Sequence, residues 1–170
     1  MVTSRAAPTD AVTRAWAALH EVVDPEIPVL SVVDLGLIRR LEVDGEGVLE
    51  VDLAPTYSGC PAMAVIRGAV EAALRAAGLG SVRINEVLAP AWTSDWLSAD
   101  GRQKLLRYGI APPVKAVDTP RGIWRAATVV RCPRCDSAST EELSHFGSTP
   151  CKALYRCQGC LEPFEHFKCT

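Results

Sequence analysis

Two cysteine pairs, Cys132-Pro133-Arg134-Cys135 and Cys157-Gln158-Gly159-Cys160, constrain this chain more than any other feature of its 170 residues. A CxxC turn aims two sulfurs the same way, and two such turns brought together offer four thiolates to one tetrahedral ion. The 21 residues between the pairs suffice for a loop and a returning strand, one residue beyond the usual spacing. The pattern predicts a zinc ribbon over residues 129–170, with Cys132, Cys135, Cys157 and Cys160 as ligands. A redox CxxC is the weaker reading, because thioredoxin-type motifs occur singly beside a βαβ pattern. So short a segment cannot build a large interior, and zinc, worth ~10–16 kcal/mol in such peptides, makes up the difference. Phe146, Tyr155, Phe164 and Phe167 are the expected aromatic core around it.

The rest of the chain is large enough for one ordinary domain, and 48% hydrophobic residues can fill its core. A net charge of −2 gives no broad attraction to nucleic acid or acidic membranes. Residues 129–170 themselves carry five Lys or Arg against five Asp or Glu, whereas nucleic-acid-binding ribbons are commonly basic. The opening Met1-Val2-Thr3-Ser4-Arg5 has no apolar signal core, and no apolar run is long enough for a bilayer. These features predict a cytoplasmic protein, in which disulfides are not the default use of cysteine.

Thr9-Asp10 can cap a helix over residues 9–23, whose apolar positions Val12, Trp16, Leu19 and Val23 recur at helical spacing before Asp24-Pro25 stops it. Alternating runs over 37–43 and 48–53, separated by Asp44-Gly45-Glu46-Gly47, read as a hairpin. A second helix is expected to begin at Cys60, with Pro61 in its first turn and Gly78 and Gly80 at its end. Val82 to Leu88 forms a third strand, and Thr93-Ser94-Asp95 opens a third helical segment closing at Gly109. The order αββαβα predicts an α+β class: a small sandwich with its helices on one sheet face. The expected organisation is an α+β domain over 1–108, a Pro-rich linker over 109–128 and the ribbon over 129–170.

Within the first domain Cys60 stands out, because Thr56-Tyr57-Ser58-Gly59-Cys60-Pro61 puts a thiol where a glycine-containing loop meets a helix start. Free amide hydrogens and the helix dipole there lower a thiol pKa and favour a metal ligand or nucleophile. The alternative is a small buried filler, as free cysteine often is. Asp24 and Glu26, stiffened by Pro25 and Pro28, could face a metal or a partner, or they could be solvated acids at a helix stop. No histidine is placed to serve Cys60 as a base: His20 lies on the first helix, and His145 and His166 lie in the ribbon segment. A Cys-His hydrolase is therefore disfavoured, and no phosphate loop or dinucleotide fingerprint is present.

The combination of Asp24-Pro25-Glu26, Asp34-Leu35-Gly36 and Thr56 to Pro61 resembles the SufT-type iron–sulfur assembly domain over about residues 9–108. The tail motifs Cys132 to Cys135, Phe146 to Cys157 and Glu162 to Cys169 are similar to those of the PaaD family, accessory proteins of bacterial phenylacetyl-CoA epoxidase systems. The resemblance implies a non-catalytic maturation factor, not an enzyme, that loads iron or an iron–sulfur cluster into the epoxidase of aerobic phenylacetate degradation. The ferredoxin-type reductase is the first client it suggests, ahead of the di-iron oxygenase. Cys60 would be the transfer ligand, with Asp24 and Glu26 shaping its site. Cys151 and Cys169 fall inside the tail motifs and would join a transient iron or cluster site with Cys60, serve as alternative ligands for the zinc, or be structural. Whether two chains meet as a homodimer to bridge one cluster stays open. The alternative function is a scaffold protein that docks epoxidase components without passing metal.

Overall fold

The computed structural model describes residues 8–113 and 129–168 and divides into two compact units, Met1–Trp92 and Thr93–Thr170. In the first unit, α1 (Pro8–His20) precedes the antiparallel pair β1 (Ile38–Val43) and β2 (Leu49–Leu53), then α2 (Met63–Ala76) and β3 (Val82–Glu86). Strand β3 lies parallel to β2, giving a sheet of order β1-β2-β3. The hairpin closes where the Asp-Gly-Glu-Gly run predicts. Asp44 Oδ1 accepts from the Glu46 and Val48 amides at 2.9 Å, and Gly47 takes a φ of 83°.

The period-two pattern sorts the sheet into two faces. Leu49, Val51, Leu53 and Ile84 are buried with Ala15 and Leu19 of α1 and Ile66, Val70 and Leu74 of α2. On the other face Arg40 binds Glu42, Glu50 and Asp52, and Arg83 binds Glu50. Helix α1 stops at His20, short of the expected Val23, because the chain turns into local backbone pairing. Val32 N donates to Val22 O and Asp24 N to Leu30 O, both at 2.9 Å, which leaves Val23 exposed instead of on a core face.

The second unit holds a short 3-10 turn (Ser94–Trp96), α3 (Ala99–Tyr108), β4 (Ile110–Ala111), β5 (Thr140–Ser144), β6 (Lys152–Cys157) and β7 (Pro163–Phe167). The helical segment expected from Thr93 is broken in two. Thr93 caps the short turn, Leu97 is extended, and Ser98 Oγ restarts the helix by accepting from Gly101 N at 2.8 Å. The four strands form one sheet of order β4-β7-β6-β5. The boundary between the units at Trp92 precedes the expected limit at residue 108, since α3 runs into β4 and β4 pairs in parallel with β7. Ile110 and Ala111, expected to begin a linker, are thus a strand, and residues 114–128 of that linker lie outside the described residues. No helix among the described residues is long and apolar enough to cross a membrane.

Candidate functional site

The first site grows from two turns of the first unit. In one, the Asp24 carboxylate folds back on its own chain: Oδ1 accepts from Glu26 N at 2.7 Å and from Ile27 N at 2.9 Å, while Leu30 N donates to Ile27 O. Asp24 is buried and Glu26 only partly so, so the first acid builds the turn that displays the second. In the other, Gly59 takes a φ of 87°, a left-handed conformation that favours glycine, and Cys60 N donates to Tyr57 O at 3.3 Å. Cys60 follows, partly exposed, and its carbonyl accepts from Met63 N.

Helix α2 starts at Met63, so Cys60 lies before the helix and not at its first residue as expected. The expected depression of its pKa is reversed. Burial raises the Cys60 thiol above its ordinary 9.0 against the pull of the Ala62 N–H, the charges of Glu26 and Asp24 raise it further, and the nearby Tyr57 side chain lowers it. Cys60 is therefore near enough to Glu26 and Asp24 to feel their charges. Tyr57, to which the sequence alone assigned no role, is a fourth member. Its place three residues before Cys60 in the same turn was the available signal.

The other residues that carried the resemblance have structural roles. Ser31 and Asp34 bind reciprocally, Ser31 N and Oγ donating to Asp34 Oδ2 and Asp34 N donating to Ser31 Oγ, all at 3.0 Å. Leu35 is buried, its carbonyl accepts from the Trp92 indole at 2.8 Å, and Gly36 turns the chain at a φ of 66°. This network holds the segment that follows the Asp24 turn.

The second site is the four-sulfur group. The sulfurs of Cys132, Cys135, Cys157 and Cys160 lie within 4.8 Å of one another, with Cys132 to Cys160 at 3.8 Å and Cys135 to Cys157 at 3.5 Å. A tetrahedron with zinc–sulfur bonds of about 2.3 Å puts its sulfurs roughly 3.8 Å apart, so the group fits such an ion. The two knuckles share a design: Asp136 and Leu161, each directly after the second cysteine of its pair, take φ of 58° and 64°. The amides of Gly159 and Cys160 point at Cys157 Sγ from 3.3 and 3.4 Å. The Cys160 amide, and then that of Gly159, draw the buried Cys157 thiol below its ordinary 9.0 against its desolvation, which favours the thiolate form that a metal ligand needs. Behind the knuckles Ala111, Val130 and Phe164 pack against Cys132 and Cys157, with Tyr155 alongside.

Cys151 is not in the four-sulfur group. It lies buried in the second unit with its thiol 3.1 Å from Thr149 Oγ1. Cys169 lies outside the described residues. His166 is buried with Nδ1 3.1 Å from Ala111 O and its ring edge-on to Tyr155, whereas His145 is exposed beside Glu142. Of the four expected core aromatics, Tyr155, Phe164 and Phe167 are buried or partly so, but Phe146 is 63% exposed: it sits in the loop between β5 and β6, off the sheet face.

A folded α/β unit with a partly exposed cysteine, followed by a unit in which four cysteines converge, defines a two-part architecture. The family model for iron–sulfur cluster assembly proteins matches residues 13–85, and that for the PaaD zinc beta ribbon domain matches residues 117–168. The chain is 47% identical over 158 residues to an Escherichia coli (strain K12) protein named as a candidate component of 1,2-phenylacetyl-CoA epoxidase, covering 91% of this chain and 90% of that one. This chain belongs to the PaaD family. It is also 37% identical over 78 residues to the Staphylococcus aureus (strain USA300) Fe-S protein maturation auxiliary factor SufT, covering 45% of this chain and 88% of that one. A crystal structure of a DUF59 domain from Bacillus anthracis shares the fold, with a TM-score of 0.53 and 24% identity over 58% of this chain and 93% of that one.

Proposed function

We propose that this chain is a non-catalytic maturation factor that passes iron or an iron–sulfur cluster to the phenylacetyl-CoA epoxidase, with the ferredoxin-type reductase as its first client. The observation that supports this reading is a partly exposed Cys60 that feels the charges of Glu26 and Asp24, within the stretch that matches the iron–sulfur cluster assembly family. Cargo would move by ligand exchange without change of oxidation state. A client thiol gives up its proton and binds the metal, Cys60 leaves the metal, and Cys60 takes a proton back from water. Glu26 attracts the cation, while the turn built by Asp24 keeps Glu26 in place. The ribbon sulfurs of Cys132, Cys135, Cys157 and Cys160 would hold a structural zinc ion that locks the second unit's shape. Cys151 takes no part in transfer under this reading, because its thiol is buried against Thr149.

The test is Cys60→Ser as the only copy in a strain that depends on the epoxidase. The expected result is a client lacking iron and activity, although the variant chain is folded and still binds it. Full iron loading and activity would remove Cys60 from the mechanism and favour the scaffold alternative, in which only docking matters.

A further inference from the structure

Phe146 is displayed, not left over. The residue is 63% exposed in the loop joining β5 to β6, yet that loop is held from several sides. Gly147 N donates to Lys152 O at 2.7 Å, Ser148 N to Glu165 Oε1 at 2.7 Å, and Ser144 Oγ to Phe146 O at 2.8 Å. The second carboxylate oxygen of Glu165 binds Lys152 Nζ at 3.0 Å in an ion pair whose lysine side chain is only 5% exposed. A Cβ at position 147 would sit 2.8 Å from Glu165 Oε1 and 3.3 Å from the Lys152 backbone, so the loop is pressed against the strands behind it. Lys168 Nζ lies 4.4 Å from the Phe146 ring centroid and donates to His145 O, and the His145 ring stands edge-on to Phe146 at 5.1 Å.

An aromatic side chain fixed in advance loses little freedom when a partner covers it, which is the property of an interface anchor. The charges around it indicate the partner's chemistry. The neighbouring carboxylates are engaged within the chain: Glu142 with Tyr155 and His145, and Glu165 with Lys152 and Ser148. Glu142 is near enough to feel the Lys168 charge, but its two oxygens are hydrogen-bonded to Tyr155 and His145 and neither pairs with the ammonium. No carboxylate among the described residues forms an ion pair with Lys168, whose ammonium has three donors and uses one on His145 O. The anchor therefore presents an apolar ring flanked by a cation with donors to spare.

Resting on the reading of this chain as an epoxidase accessory protein, we propose that Phe146 and Lys168 form a docking knob for an epoxidase subunit that offers an apolar pocket with carboxylates at its rim. The test measures binding of the full chain to each purified epoxidase subunit by calorimetry. Phe146→Ser and Lys168→Glu should each weaken binding to one subunit at least tenfold. Leu88→Ser, which removes an equally exposed apolar side chain from the first unit, should leave it within twofold. One tightly held metal ion per chain in each variant verifies that the ribbon is intact. Unchanged binding by Phe146→Ser overturns the knob, and unchanged binding by Lys168→Glu overturns the acidic rim. A dimer of the chain that Phe146→Ser dissolves, with subunit binding intact, would assign the surface to a second copy and overturn the proposal. Binding to no subunit by the unaltered chain would refute the accessory reading itself, a result separate from any effect of the variants.

Discussion

Asp24 can be tested as a builder of its turn independently of any metal. Its Oδ1 receives two amide hydrogens, from Glu26 at 2.7 Å and Ile27 at 2.9 Å, the second of them buried. Asp24→Ala strands both donors. The Ile27 amide pays the full desolvation penalty of an unmade bond, and the Glu26 amide part of it because water can reach it. At ~1–3 kcal/mol for each stranded group, the sum is about 2–4 kcal/mol. Asp24→Asn keeps an acceptor oxygen without the charge and should lose about half as much, since bonds to charged groups are roughly twice as strong as neutral ones. The assay is urea unfolding followed by the amide resonances of β1 to β3, which report the first unit alone. With a slope of about 1.5 kcal/mol/M, the midpoint should fall by roughly 1.3–2.7 M for the alanine variant. An alanine variant within about 0.5 kcal/mol of the parent, or an asparagine variant as unstable as alanine, would refute the assignment of those two bonds.

Three further outcomes are expected. Glu26→Gln removes a charge that raises the Cys60 thiol, so the pH profile of Cys60 alkylation, which in the parent lies above the ordinary 9.0, should move to lower pH; an unmoved profile would separate the two residues. Chelation should remove the amide-exchange protection of β5 to β7, as ~10–16 kcal/mol of metal binding is lost, while β1 to β3 stay protected. Burial raises the Glu165 carboxyl, but the Ser148 amide and hydroxyl and the Lys152 ammonium outweigh it and hold it below its ordinary 4.5. Its stabilising contribution is therefore complete above that value and is lost as pH falls through the lower folded one. The Ser148 amide should exchange faster in that acidic range, and Glu165→Gln should flatten the dependence.

Features set by near neighbours were legible in the sequence. The Asp44 to Gly47 turn, the two CxxC knuckles and the glycine at the end of α3 each depend on residues a few positions apart, and each occurs where the pattern predicts. The start of α2 was misplaced because Pro61 fits a first helical turn, yet Cys60, Pro61 and Ala62 belong to the turn before it; Ala62, the N-cap, has no side-chain hydrogen bond that would mark the boundary. Strand β4 was illegible for the opposite reason. Two residues before Pro112-Pro113 have no period of their own and become a strand only through Glu165 and His166, more than fifty positions away. Cys60 was singled out for its place between a loop and a helix, but its electrostatics were not readable. Burial outweighs the local amide, and the carboxylates that add to it come from a turn that the chain reaches some 35 positions earlier.

The pairing of β4 with β7 also dictates where the ribbon can be cut. A fragment beginning at residue 129 would leave behind Ile110 and Ala111, removing the outermost strand of its sheet and the carbonyl that receives the buried His166 ring. It would also strip Ala111 from beside Cys132 and Cys157, thinning the hydrocarbon backing of the metal-binding thiols. Anyone transplanting this ribbon onto another protein should therefore take the stretch from Thr93 onward, because the graft inherits its floor from upstream of its first cysteine.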